Sequence, residues 1–326
     1  MLGAKSPYTG PDKWEVSMSW RYQTSNSHYV GIHKQLGRDT EQSQVINRIN
    51  QPELTIRRNY TKQWSLALGI PYLMATRSSP IRDSSGVVID RSLTQARGIG
   101  DMTVTLRRWV WNPEKHPSFN VSLGIGMKFP TGENNVQDVR KSIASNGTVS
   151  LSVRTVDQSI QPGDGGWGVI LQVQAFRRLF ARAFTYVAGA YLVSPRALSD
   201  VSRPPPNTSV YWSVPDVYSG RVGLIYGLLP RQGLSLSLGG RVDGIPYHDL
   251  VGGGDAGFRR PGHVVFLDPA VALTRGRSTF TVSSPIRVSG SLADSAMVRP
   301  NGVPSPTRSA GDLARMLIFV GYSRRF

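Results

Sequence analysis

The stretch SFNVSLGIGMKF, residues 118 to 129, alternates with a period of two. Phe119, Val121, Leu123, Ile125, Met127 and Phe129 fall on one face of an extended strand, and Asn120, Ser122, Gly124, Gly126 and Lys128 on the other. One face is oily throughout and the other is small or polar, so the two faces meet different solvents. KWEVSMSWRYQ repeats the pattern, with Trp14, Val16, Met18, Trp20 and Tyr22 against Lys13, Glu15, Ser17, Ser19, Arg21 and Gln23. GLSLSLGGR does so with Leu234, Leu236 and Leu238 against Ser235, Ser237, Gly239 and Arg241. Weaker copies run through ELTIRRNY, WSLALGIPYLM, DMTVTLRRWV, WGVILQVQAF, AFTYVAGAYLV, YSGRVGLIYGLL, HVVFLDPAVALT, STFTVSSPIRV and DLARMLIFVGYSRRF. The result is about twelve strands of roughly ten residues, the length that crosses a bilayer when tilted. In the last strand Met316, Ile318, Val320, Tyr322 and Phe326 share a face, while Leu317 and Phe319 blur its orientation.

The connections carry an independent regularity. Short turns near 61–63, 112–117, 177–182, 230–233 and 275–277 alternate with long Gly/Pro/Ser/Asp-rich segments near 24–45, 76–99, 130–165, 194–214, 245–262 and 289–311. Such sorting by length requires an even strand count with both chain ends on the short-turn side. The expected fold is all-β: a single closed antiparallel transmembrane β-barrel over residues 1–326, with short periplasmic turns and long extracellular loops. Residues 1–12 are expected to form an N-terminal periplasmic segment, and the loop at 130–165 is a candidate lid. A soluble β-sandwich also alternates, but its connections need not sort by length, and it rarely exposes so many aliphatic faces in succession.

Composition narrows the alternatives. No stretch approaches the roughly 18 apolar residues of a spanning helix, which excludes a helical membrane protein and leaves a barrel open. Cysteine is absent, so there is no disulfide framework, thiol nucleophile or cysteine zinc site. The N-terminus, MLGAKSPYTGPDKWEV, has no apolar core of a signal peptide; an exported chain is expected to have lost its leader or to be read from a different start.

Lys and Arg number 38 against 21 Asp and Glu, a formal charge of +17 whose meaning depends on placement. Arg58 and Arg108 fall on the lipid face close to short turns, where they can snorkel. The other strand charges fall mainly inward: Lys13, Arg21, Arg57, Arg107, Lys128, Arg221, Arg241 and Arg315 against Glu15, Glu53, Asp101 and Asp268. A polar, net basic lumen would favour anions or carboxylate-bearing solutes. Equally, opposite charges could pair across a narrow, filled interior and serve only the shape of the barrel. Two aromatic girdles are expected, Trp14, Tyr60, Trp64, Trp109, Trp111, Phe119 and Phe184 at the short-turn side and Tyr22, Tyr72, Phe129, Trp167 and Tyr191 at the long-loop side.

Other motifs carry little. GGGDAG at 252–257 fits a dinucleotide pattern without the flanking strand and helix that give it meaning. His28, His33, His116, His248 and His263 lack metal-ligand spacing, and no Ser/His pair or nucleophile elbow stands out, so no metal, cofactor or catalytic residue is assigned. Basic residues alternate with apolar ones along strands and form no nucleic-acid-binding module.

Several stretches resemble the outer-membrane transporter family associated with the phenol-degradation pathway. They are ARGIGDMTVTLRRWV (96–110), NVSLGIGMKFPTGENN (120–135), QPGDGGWGVILQVQAF (161–176), VVFLDPAVALTRGRSTFTVSSPI (264–286) and the closing VGYSRRF. Asp268-Pro269-Ala270 departs slightly from the family, which often has Gly there. The resemblance implies a barrel exported to the bacterial outer membrane, set in lipid and lipopolysaccharide, importing small aromatic or hydrophobic compounds. It also implies that Tyr322 and Phe326 form the terminal aromatic signature read by the barrel-assembly machinery. These motifs specify fold more than substrate, and no substrate residue carries over. The expected function is a channel or transporter for small solutes, aromatic or anionic compounds included. A closed structural or interaction barrel with ligand-binding loops is the alternative, and an outer-membrane hydrolase the third reading.

Overall fold

The computed structural model describes residues 12–203, 210–251, 256–295 and 309–326. The expected segment 1–12 therefore lies outside the described residues except for Asp12, as do the glycines Gly252 and Gly254 of the GGGDAG stretch. Among the described residues no helix is long and apolar enough to cross a membrane.

A closed antiparallel barrel of twelve strands dominates the chain. In order they are β1 (Trp14–Val30), β2 (Ile46–Asn59), β3 (Trp64–Arg82), β4 (Val88–Ile99, resuming as Met102–Trp109), β5 (Phe119–Phe129) and β6 (Gly168–Phe180). Then come β7 (Ala183–Val193), β8 (Val217–Leu229), β9 (Leu234–Ile245), β10 (Gly262–Leu267 and Ala270–Arg275), β11 (Ser278–Ser283 and Ile286–Leu292) and β12 (Ala310–Arg325). Each strand pairs with its sequence neighbours, and β12 returns to β1 from Glu15↔Arg325 to Val30↔Ala310. At that seam the Phe326 amide donates to the Trp14 carbonyl at 2.9 Å, so the first strand and the last residue share one ladder. Closure removes both sheet edges, the only way a sheet can satisfy its backbone in hydrocarbon.

Alternation sets which side chains face outward. Met18, Leu123, Ile125, Leu171, Val222, Leu224 and Leu238 are exposed on the outside, while Glu15, Ser122 and Ser237 of the same strands are buried within. Leu317 and Phe319, ambiguous in sequence, both point inward at 4% and 8% exposure, leaving Met316 and Tyr322 on the outer face. The aromatic belts need one revision. Trp109 is buried, and within the barrel it meets Phe176 in a T-shaped contact at a centroid distance of 5.9 Å, while Phe176 lies tilted against Phe184 at 6.3 Å. Trp109 opposes the buried Ser122 and Phe184 opposes Phe176's neighbour Arg178, so both belong to the inner wall and not to the short-turn girdle.

The stretch expected as a loop at 76–99 is instead the continuation of β3 and β4 into a long hairpin, with its turn at 83–87. Both its faces are polar or mixed, so the period-two signal fades although the ladder persists. Prolines interrupt the wall on the opposite side: Pro269 breaks β10 and Pro285 breaks β11, because neither ring nitrogen can donate to a ladder.

Small residues let the inner wall close on itself. Gly223 and Gly239 face each other across β8 and β9, and the Tyr186 ring covers them. A Cβ at Gly239 would lie 2.4 Å from the Val222 carbonyl oxygen and 2.8 Å from Tyr186 Oη. Gly239→Val should therefore destabilise the barrel by about 2 kcal/mol through overpacking. The check is the temperature at which the compact, fast-migrating form converts to the unfolded form on a denaturing gel.

Candidate functional site

The barrel interior gathers most of the charges expected there, largely as pairs. Glu15 is 2% exposed and accepts from Arg57 Nη1 at 3.4 Å and from Ser17 Oγ at 3.4 Å. Arg107 donates to the side-chain oxygens of Gln172 and Gln174, at 2.9 and 3.3 Å. Arg21 donates to Gln51 Oε1, and Glu53 accepts from Thr55 Oγ1 at 3.1 Å. Arg221 Nε donates to the fully buried Asp268 at 2.8 Å. Arg241 reaches Asp243 at 2.8 Å and lies 4.8 Å over the Phe319 ring. Lys128 bridges Asp101, at 3.4 Å, and Asp164. Asp101 also accepts from the amides of Gly132 and Asp164 at 3.0 and 3.3 Å, tying the ends of the loop 130–167 to the break in β4.

Two residues assigned to the lumen stand elsewhere. Lys13 precedes β1 in an exposed bend, where the β-ladder has not yet begun and its carbonyl accepts from the Asn59 amide at 2.8 Å. Arg315 lies where β12 bulges against β1, and its half-exposed side chain turns to Ser27 at 3.1 Å and Asp39 at 2.7 Å at the long-loop end. Tyr322 and Phe326 are exposed on the outer face, and Tyr322 Oη lies 3.1 Å from Ser278 Oγ.

Between the pairs, several buried inward atoms of the described residues find no hydrogen-bond partner: Arg21 Nε, Ser122 Oγ, Ser237 Oγ, Asp243 Oδ1 and Asp268 Oδ1. They lie on the inner faces of β1, β5 and β9 and at the break in β10. Buried polar atoms of native proteins are almost always satisfied, so such atoms suit water or a polar solute inside the barrel.

The two ends differ. At the short-turn end a cavity of about 970 Å³ has apolar walls of Phe176, Phe184, Ile225 and Pro230, with Arg178, Arg182 and Arg231 around it and one acid, Glu114, which is paired with Lys62. Arg178 lies 5.3 Å over the Phe184 ring. The combination suits a molecule with an apolar body and a negative group.

At the long-loop end, the 130–167 connection does two things. Its hairpin, Gln137–Ile143 and Val149–Thr155, extends outward beside β4, where the Lys141 amide donates to Ser92 Oγ at 3.0 Å. Its return segment turns back inside the wall: Ile160 is fully buried against Ile49, Leu73, Ala75, Ala96 and Val156. Asp157 anchors that segment through Arg260 at 3.0 Å and Arg77 at 3.7 Å, and caps it by accepting from the Ser159 amide at 3.0 Å. Arg260 in turn lies 5.3 Å over Trp212 and 5.5 Å over Phe258, joining three long loops in one cluster.

Sequence reading missed Asp157, Arg77, Arg260 and the buried Asp249–Arg259 pair, closed at 2.7 Å. Asp157 lies far from Arg77 and Arg260 in sequence, and Asp249 and Arg259 sit ten residues apart in the connection between β9 and β10, so neither set forms a periodic pattern. It also missed Gln172 and Gln174, although their position on the polar face of WGVILQVQAF was a usable signal. Among the described residues no cluster of three or more His, Asp or Glu could hold a metal ion.

No family model matches the chain, and no curated protein matches it. An outer membrane channel from Pseudomonas putida F1 aligns with the whole chain, and over its own full length, at a TM-score of 0.64 and 14% identity. At that identity the likeness establishes a shared barrel fold. Two further structures align over 97% of the chain at scores too low to establish more. They are the CymD monoaromatic hydrocarbon channel (TM-score 0.49, 7% identity, 89% of its length) and the Pseudomonas putida toluene transporter TodX (0.48, 9%, 90%).

Burial by itself would raise the Asp157 carboxyl, but Arg260 and Arg77 outweigh it and hold that group well below the usual carboxylate range. Its pairing thus contributes stability that is complete above the unfolded value of about 4 and is lost only as pH falls through the depressed folded value. The anchored loop should therefore resist protease in mildly acidic buffer as it does at neutral pH. Asp157→Asn should make the 137–162 region cleavable at both, read by limited proteolysis with mass spectrometry, while the barrel remains intact.

Proposed function

We propose that this chain is an outer-membrane channel for small solutes, favouring molecules with an apolar, often aromatic, body and an anionic group. The observation that carries the reading is the amphipathic chamber at the short-turn end, together with inward polar atoms that find no partner on the barrel wall. A barrel built only for shape would be expected to pack or pair those groups. The chamber supplies the preference: phenyl rings and proline for the body, Arg178, Arg182 and Arg231 for the charge. Support for the outer membrane comes from the fold, and from the full-length likeness to a solved outer membrane channel. The same likeness, to a channel, favours a function without catalysis. The family associated with phenol degradation remains a resemblance of strand and turn motifs and fits this solute class.

The return segment with Ile160 acts in this reading as the lid. It occupies the inner wall at the outer mouth, and freeing it would open the path. The closed, structural barrel has one observation in its favour: the inner wall is filled by contacts between adjacent or next-neighbour strands, Glu15–Arg57, Arg221–Asp268 and Trp109–Phe176.

Uptake into proteoliposomes separates the two. An aromatic carboxylate should enter faster than its neutral alcohol analogue, and Arg178→Gln with Arg182→Gln should slow the carboxylate alone by about tenfold, the equivalent of one charge-assisted hydrogen bond. Equal, background-level entry of both compounds with verified folded protein would leave the closed barrel.

A further inference from the structure

The positive charge of the molecule is unevenly placed, and the excess sits on the outside at the short-turn end. On the outer face of their strands, Arg58, Arg108, Arg177, Arg275 and Arg324 all lie within a few residues of the short turns. All are exposed. Register places them around much of the circumference: Arg58 opposes Trp14, Arg108 opposes Trp64, Arg177 opposes Phe119, and Arg324 opposes Val16 on one side and Ser278, the partner of Arg275, on the other.

Three of these guanidiniums lie against the faces of interfacial rings. Arg58 is 5.2 Å from the Trp14 ring and 5.1 Å from Tyr60, Arg108 is 5.4 Å from Trp64, and Arg324 is 5.5 Å from Phe326. Stacking holds a guanidinium flat against the wall with its N–H edge free to donate. Among the described residues none of the five pairs with a carboxylate. Of the acids at this end, Asp12 is taken by Arg277 at 3.2 Å and Arg325 at 3.9 Å, and Glu114 pairs with Lys62. Residues 1–11 contain no acid that could neutralise the ring.

An uncompensated cation facing hydrocarbon would be costly, and single arginines escape that cost by snorkelling to water. A ring of them stacked on aromatic residues at one level does more, because its free N–H edges converge on the layer that holds lipid phosphates. We propose that this ring is a binding surface for anionic phospholipid headgroups, phosphatidylglycerol-like phosphodiesters, in the leaflet on the short-turn side. Bidentate guanidinium–phosphate contacts would fix the depth of the barrel in the bilayer. The inference rests on the barrel's placement in a membrane but not on solute passage, and its test reads no transport.

The test uses the full chain refolded into phosphatidylcholine vesicles with or without phosphatidylglycerol. Quenching of tryptophan fluorescence by brominated phosphatidylglycerol, in competition with brominated phosphatidylcholine, reports which headgroup collects at Trp14 and Trp64. Wild type should prefer phosphatidylglycerol, with the preference shrinking in high salt, and Arg58→Gln with Arg108→Gln should reduce it by about fivefold or more per charge removed. The preference should survive in Arg58→Lys with Arg108→Lys only in part, since a lysine cannot donate bidentately. Where a glutamine variant fails to fold, the wild-type competition decides. Equal quenching by the two lipids, or a preference abolished by free inorganic phosphate at moderate concentration, would overturn the proposal.

Discussion

Everything in this molecule follows from the cost of an unpaired backbone group in hydrocarbon. A sheet can cross a bilayer only if its last strand returns to its first, and the seam between Trp14–Val30 and Ala310–Arg325 accomplishes that along nearly its whole length. Once the ring is closed, each strand has one face toward lipid and one toward the interior, and the period-two alternation is forced on the sequence. The outer face then accepts Leu, Val and Met, and the inner face collects what lipid rejects.

What the inner face collects explains the character of the lumen. Charges there are not scattered: Arg221 meets Asp268, Arg57 meets Glu15, and Arg107 meets a pair of glutamines. Removing one member of such a pair leaves its partner buried and uncompensated, a larger loss than the pair's own net contribution. The pairs therefore fix the shape of the barrel, and the polar atoms left over are free to meet water or solute inside it. Glycines such as Gly223 and Gly239 keep the wall thin enough for Tyr186 to lie across it.

The barrel was legible because lipid and lumen write opposite residue types at alternate positions; Phe119 through Phe129 is the clearest case. Legibility fails wherever the two faces stop differing. At 76–99 both faces leave the membrane, so a long hairpin reads as a loop. Near the short turns the interior gains aromatic rings, so Trp109 and Phe184 read as girdle residues although Trp109 is buried against Phe176 and Phe184 lines the chamber. Phe319 confused the last strand because it serves the inside as a platform for Arg241. Asp157 was invisible for another reason: its partners Arg77, on β3, and Arg260, in the loop before β10, lie far away in sequence, and only the folded chain brings them together.

Conduction through the polar interior separates a channel from a closed barrel, and single-channel recording of the refolded protein in a planar bilayer, with the reversal potential taken across a salt gradient, measures it. An open interior gives a small, steady, anion-selective current that grows when residues 133–162 are deleted. Silence from verifiably inserted protein, both intact and lacking that loop, would contradict it.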